Sequence, residues 1–207
     1  MKKKFILPIL SNLIMLMGFL SLAGCLSMRQ STLSDAQTHF SVLSRKAIVS
    51  NLKDMKTWQA DGAFSFESPN QVGMAHFRVD VTAYTWRVQI SSALNLVQMT
   101  IGNDALGIWY TDQHGHIVHS SSIEDSIKEQ FGFALPVTTL LNWMKGLASS
   151  DQGIMTLNSF NQLVELQENG WILHYSHYGL YQNQALPGVI EMTGHGEKIK
   201  MVIDKWH

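Results

Sequence analysis

His114, His116 and His119 lie close together, and His174 and His177 form a second pair. Imidazole nitrogens are the commonest protein ligands for a transition metal, so these groups are the first place to look for chemistry. A metal centre needs three or four convergent ligands with oriented partners behind them. His114 and His116 instead bracket Gly115 in a stretch that reads as a turn, where solvated polar residues are expected anyway. No metal site is expected from them. Other catalytic patterns are missing: the chain has no Gly-x-Ser-x-Gly, no His-Glu-x-x-His, no Gly-x-x-x-x-Gly-Lys and no Rossmann glycine fingerprint. An enzyme is therefore not expected, and no cofactor is implied.

One cysteine, Cys25, excludes an intrachain disulfide framework and any cysteine-rich metal site. Its setting gives it another use. Lys2, Lys3 and Lys4 form a basic start, Phe5 to Leu22 is an apolar run broken only by Pro8, Ser11 and Asn12, and Leu22-Ala23-Gly24-Cys25 follows. This is the layout of a secretory signal. A leucine three residues before a cysteine, with small residues between, is the pattern of a bacterial lipoprotein cleavage site. There the thiol takes a diacylglycerol, and cleavage leaves the cysteine as an N-acylated terminus. The other reading is an uncleaved transmembrane helix, since the run approaches the ~18 apolar residues of a span. Lipidation anchors without spanning, because each buried methylene contributes about 0.8 kcal/mol and two or more chains hold firmly. Leu26, where an aspartate would signal inner-membrane retention, points to the outer membrane, with the body facing the periplasm.

The chain has 207 residues, 45% of them hydrophobic and only 15% charged, enough for one good core and unlike a disordered or fibrous chain. Without residues 1–24 it carries 12 basic and 16 acidic residues, a net of −4, with no basic stripe for nucleic acid. The expected organisation is a signal peptide over 1–24, a lipidated tether over 25–34 and a single domain over 35–207, as a monomer.

Apolar residues recur at helical steps from Ala36 through Phe40, Leu43, Ala47, Ile48, Leu52 and Met55, which predicts a helix over about 35–55 beginning at Asp35. From Gly62 the period becomes two. Tyr84, Trp86, Val88 and Ile90 share one strand face, and Thr85, Arg87 and Gln89 the other. Similar alternation around Phe64, Phe77, Leu173 and Met201, with turn signals between, gives about ten short strands and antiparallel pairing. Ile123 to Phe131 and Val137 to Lys145 read as helices, the second opened by Pro136 and stopped by Gly146. The expected class is mainly β (α+β): an open antiparallel barrel or curved sheet with helices across its mouth, a shape that can enclose an apolar cavity.

Six tryptophans, nine phenylalanines and eleven methionines suit a cavity for irregular apolar ligands, and equally suit an ordinary core. Leu94 lies among Ser91, Ser92, Ala93 and Asn95 where a turn is expected. It is either tucked beneath its own hairpin or an exposed apolar tip.

These residues together resemble the LolB family of outer-membrane lipoprotein receptors. The resemblance rests on the lipobox, Trp58 with Ala60-Asp61-Gly62-Ala63-Phe64, and the segment from Leu135-Pro136-Val137 through Trp143-Met144-Lys145-Gly146. Gly170-Trp171-Ile172-Leu173-His174-Tyr175, Leu186-Pro187 and the closing Ile203-Asp204-Lys205-Trp206 complete it. It implies an open barrel with a helical lid around a hydrophobic cavity. It also implies a receptor that takes the acyl chains of client lipoproteins from the periplasmic carrier LolA and inserts them into the inner leaflet of the outer membrane. Leu94 falls on the family's membrane-insertion leucine, although Ala93 and Asn95 stand where relatives often carry Pro and Gly. Trp86, Val88, Ile90, Trp143, Trp171 and Tyr175 are expected in the cavity or its lid. A structural or assembly lipoprotein of the same membrane is the alternative, sharing the lipobox and strands but lacking an acyl-sized cavity.

Overall fold

The computed structural model describes residues 43–69, 71–92, 98–112, 114–131 and 136–207. Cys25, the tether and the Leu94 loop lie outside the described residues. Among the described residues there are thirteen strands and three helices. The strands are β1 (Trp58–Ser68), β2 (Gln71–Val81), β3 (Trp86–Ser92), β4 (Gln98–Asp104), β5 (Gly107–Thr111) and β6 (Ile117–His119), followed by β7 (Ile154–Leu157), β8 (Leu163–Glu168) and β9 (Trp171–Ser176). The chain closes with β10 (Gly179–Tyr181), β11 (Gln184–Leu186), β12 (Val189–Gly194) and β13 (Glu197–Trp206). The helices are α1 (Arg45–Asp54), α2 (Ile123–Phe131) and α3 (Val137–Met144).

Eleven strands form one sheet in the order β6-β5-β4-β3-β2-β1-β13-β12-β9-β8-β7, and β10 and β11 make a separate hairpin. Every pairing is antiparallel. The turns explain the ease of this pairing. Asn169 and Gly170 join β8 to β9 with φ of 53° and 78°, and His195 and Gly196 join β12 to β13 with φ of 52° and 81°. Positive φ at both central residues twists the turn in the sense that paired strands require. Gly170 is needed twice over, because a Cβ there would also stand 2.9 Å from the His195 ring.

Alternation then decides which side is buried. Trp58, Ala60, Phe64 and Phe66 of β1, Phe77 and Val79 of β2, Val88 and Ile90 of β3 and Met201 and Ile203 of β13 face one common core. Their neighbours face outward and pair in exposed ion pairs such as Lys200 with Glu191 (2.7 Å) and Lys198 with Glu67 (3.6 Å), which add little stability. Between Asp61 and Gly62 the register with β13 shifts, and a Cβ at Gly62 would run into the Val202 carbonyl and the Phe77 ring. That close approach accounts for glycine in the middle of an otherwise regular strand.

The helices α2 and α3 follow β6 and precede β7, so they connect the two free edges of the sheet. Ile123 and Ile127 of α2, and Val137, Leu140, Trp143 and Met144 of α3, are buried in the core that the strands supply. An open antiparallel barrel with helices on its inner side results, in agreement with the architecture expected from sequence. The Leu140 amide bonds the Pro136 carbonyl at the start of α3 (2.8 Å); at its end Gly146, with φ +73°, donates to Trp143 O (2.9 Å) and Leu147 to Asn142 O (3.1 Å).

Two expectations change. Leu43 and Ser44 are not helical, and the Ser44 hydroxyl caps α1 by accepting from the Ala47 amide at 3.3 Å, so no single helix runs from 35 to 55. Tyr84 leaves the face it was expected to share with Trp86, Val88 and Ile90. It is 90% exposed in a turn that Thr82 holds by bonding Thr85 through both backbone and side chain.

Candidate functional site

The inner wall of the barrel is the candidate site. Val88 and Ile90 reach it from β3, Trp171 and Tyr175 from β9 and Trp143 from α3, each buried, and half-buried Trp86 packs against them. The six residues named from sequence thus all lie in, or pack against, one apolar core. Trp143 meets Trp171 edge to face with centroids 6.5 Å apart. Leu94, expected at the membrane, lies outside the described residues.

Two carboxylates are buried on inward strand positions, Glu168 of β8 and Glu197 of β13. An extra residue in β8, opposite the register shift between Thr156 and Leu157, brings Glu168 inward with Leu166. Its Oε2 accepts from the Trp143 indole N–H at 2.6 Å and the Ser149 amide at 3.0 Å. Its Oε1 accepts from the Ser150 amide at 2.6 Å and the Ser150 hydroxyl at 2.7 Å. Burial by itself raises the pKa of Glu168, but these four bonds favour the carboxylate and leave it below its ordinary value. Glu168 thereby ties α3 and the segment after it to the barrel wall. Sequence reading missed it, because it sits in a turn signal with nothing to mark its direction.

The mouth nearest α1 is closed by polar bonds to backbone carbonyls. Arg45 Nη2 donates to Gly146 O (2.9 Å), Lys145 Nζ to Leu52 O (3.0 Å) and Asn161 Nδ2 to Leu43 O (2.9 Å). Burial lowers the pKa of both Arg45 and Lys145, and for Lys145 the nearby Lys56 charge adds to it. Leu52, Leu147 and Leu186 form a small apolar cluster beneath them. Trp206 joins that corner, 5.4 Å from the Trp58 ring, and donates to the Pro187 carbonyl at 3.3 Å. The Trp58, Leu186-Pro187 and Trp206 elements of the sequence pattern are therefore one corner of the molecule. At the opposite end, a recess of about 330 Å³ by the β1–β2 hairpin is lined by Phe66, Met192 and Ile199 together with Glu67, Glu191, Lys198 and Lys200.

The histidines do not converge. His116 faces Asp112 (3.4 Å), His119 faces Asp104 (3.1 Å) and His174 faces Glu165 (3.7 Å), and His177 bonds Ser176 (3.0 Å). Among the described residues no three His, Cys, Asp or Glu side chains gather where they could hold a metal ion. No helix among them is long and apolar enough to cross a membrane.

Strand order and inner wall define an open β-barrel that wraps helices around an apolar interior. A DUF1329 family protein from Desulfovibrio piger has a similar fold, with a TM-score of 0.55 and 8% identity over 79% of this chain and 91% of that one. The sequence carries the assignment further. The family model for the outer membrane lipoprotein LolB matches residues 56–206, and the chain belongs to the LolB family. It is 23% identical to the outer-membrane lipoprotein LolB of Coxiella burnetii strain RSA 493 over 188 residues, covering 90% of this chain and 88% of that protein. It is 27% identical to the outer-membrane lipoprotein LolB of Francisella tularensis subsp. novicida over 198 residues, covering 95% of this chain and 93% of that protein.

Proposed function

We propose that this protein is an outer-membrane receptor that accepts lipoproteins from the periplasmic carrier LolA and inserts them into the inner leaflet. In this reading Cys25 carries the diacylglycerol and N-acyl chains that anchor it, residues 1–24 are removed, and the body faces the periplasm without enzymatic activity. The observation that carries the reading is the way α2 and α3 are held. Two helices slung between the free sheet edges bury Ile123, Ile127, Val137, Leu140 and Trp143 against a continuous apolar wall. A wall that takes a helix's apolar face can take acyl chains when the helix moves aside, since both burials draw on the same non-directional hydrophobic effect.

Transfer then needs no external energy. Acyl chains pass from one apolar cavity to another and on to the bilayer, each step changing little total exposed hydrocarbon. Direction requires only that the last site binds best. Trp86, Val88, Ile90, Trp171 and Tyr175 form the receiving wall, Trp143 rides on the lid, and Leu94 enters the bilayer. Depleting the protein in cells tests the proposal: lipoproteins should accumulate in the periplasm as soluble carrier complexes. An unchanged outer-membrane lipoprotein content after depletion would contradict it.

A further inference from the structure

Among the described residues three buried side-chain polar atoms have no hydrogen-bond partner: Arg45 Nε, Gln162 Nε2 and Tyr175 Oη. Each can donate, and the two nitrogens can only donate. Buried polar groups in folded proteins are nearly always paired, so a shortage confined to acceptors calls for an explanation.

Two of them, on Arg45 and Tyr175, belong to one neighbourhood. Arg45 already spends Nη2 on the Gly146 carbonyl, and its charge acts on the phenols of both Tyr175 and Tyr178. Tyr178 is satisfied, donating to the Leu163 carbonyl at 2.7 Å, and its hydroxyl lies beside Gly146, whose carbonyl Arg45 bonds. Tyr175, only 4% exposed, stands on the inner wall next to this group with its hydroxyl uncommitted. No carboxylate forms an ion pair with Arg45 among the described residues. A fixed positive charge and an uncommitted phenol, at the edge of an apolar wall that also holds the Glu168 carboxylate, suit an acceptor oxygen that heads a hydrocarbon chain.

We infer that Arg45 and Tyr175 bind the acceptor oxygen at the head of an acyl chain lying against the inner wall. The inference rests on the acyl-binding reading above and adds polar recognition to it. The shared chemistry is a carbonyl or carboxylate oxygen, and it has two sources: the ester- and amide-linked chains of a lipidated cysteine, or a free fatty acid.

The test uses the protein with Cys25→Ala and three probes: a tripalmitoylated cysteine lipopeptide, palmitate, and the fluorescent hydrocarbon diphenylhexatriene, which has no acceptor oxygen. Tyr175→Phe removes one uncommitted hydroxyl and should leave the thermal midpoint unchanged or higher. It should weaken an acceptor-bearing probe about tenfold more than it weakens diphenylhexatriene, a difference equivalent to about 1.4 kcal/mol. Arg45→Met should act in the same direction, and Arg45→Lys, which keeps the charge without Nε, should restore part of the loss. Weakening of the lipopeptide alone identifies linked chains as the source, of palmitate alone the free acid, and of both the carbonyl common to them. Equal affinity of Tyr175→Phe for all three probes, or equal loss for all three, overturns the inference, as does a lower midpoint with no change in binding. Failure of the unsubstituted inner wall to bind any probe, diphenylhexatriene included, would overturn the acyl-binding reading itself and this site with it.

Discussion

The indole N–H of Trp143 on α3 donates to Glu168 Oε2 on β8 at 2.6 Å, and both side chains are buried. It is the most direct bond between the helix filling the barrel and the barrel wall. Three further bonds, from Ser149 and Ser150, complete the carboxylate's shell, and among the described residues no cation pairs with it. In the proposed function, where α3 is the lid, that shell opposes its leaving the wall.

Glu168→Gln should lower stability by about 2–3 kcal/mol in urea unfolding, because an amide turns its own N–H groups toward donors. The effect should depend on pH. Hydrogen bonds hold the folded-state pKa of Glu168 below its ordinary value, so the stability it contributes is complete above about 4.3, the unfolded pKa. That contribution shrinks as pH falls below this value and is lost once pH passes the folded-state pKa. Stability of the unsubstituted protein should therefore fall more steeply between pH 5 and pH 3 than that of the variant; parallel curves would show that Glu168 is not the group concerned.

Trp143→Phe keeps an aromatic ring against Trp171, removes the donor to Glu168 and leaves a small cavity where the larger indole packed. The expected cost is about 2–5 kcal/mol, from the lost hydrogen bond and the cavity together. If α3 is the moving lid, amide exchange across residues 137–144 should accelerate more than exchange in β1 and β13. Uniform acceleration throughout the sheet would indicate a general loss of stability with no preferential opening.

Much of this arrangement was legible in the sequence. Pro136 and Gly146 bounded α3 because each acts locally, one by opening a helix and the other by taking a positive φ. The inward faces of β3 and β9 followed from a period of two. What escaped depends on partners far away in the chain: Trp143 and Glu168 are 25 residues apart, and Arg45 and Gly146 are 101 apart. Tyr84 escaped differently. Alternation continued through it, but the Thr82–Thr85 turn had already ended the strand pairing.

Gly62→Ala should destabilise by at least about 1–3 kcal/mol, since the new methyl meets a backbone carbonyl that cannot swing away and the ring of Phe77. Thermal denaturation checks this, and an unchanged midpoint would show that the β1–β13 pairing is looser than its register.

Leu94→Glu should leave acceptance from the carrier intact and block delivery to liposomes, because a carboxylate at the tip of an inserting loop resists the hydrocarbon region. Normal delivery by this variant would remove Leu94 from the insertion step.

The most direct measurement mixes the protein carrying Cys25→Ala with a LolA carrier preloaded with a labelled lipoprotein and follows the label. Transfer of the label onto this protein, with no added energy source, is the predicted result. Retention of the label on an active carrier, in the presence of folded acceptor, would contradict the account and favour a structural role for this lipoprotein.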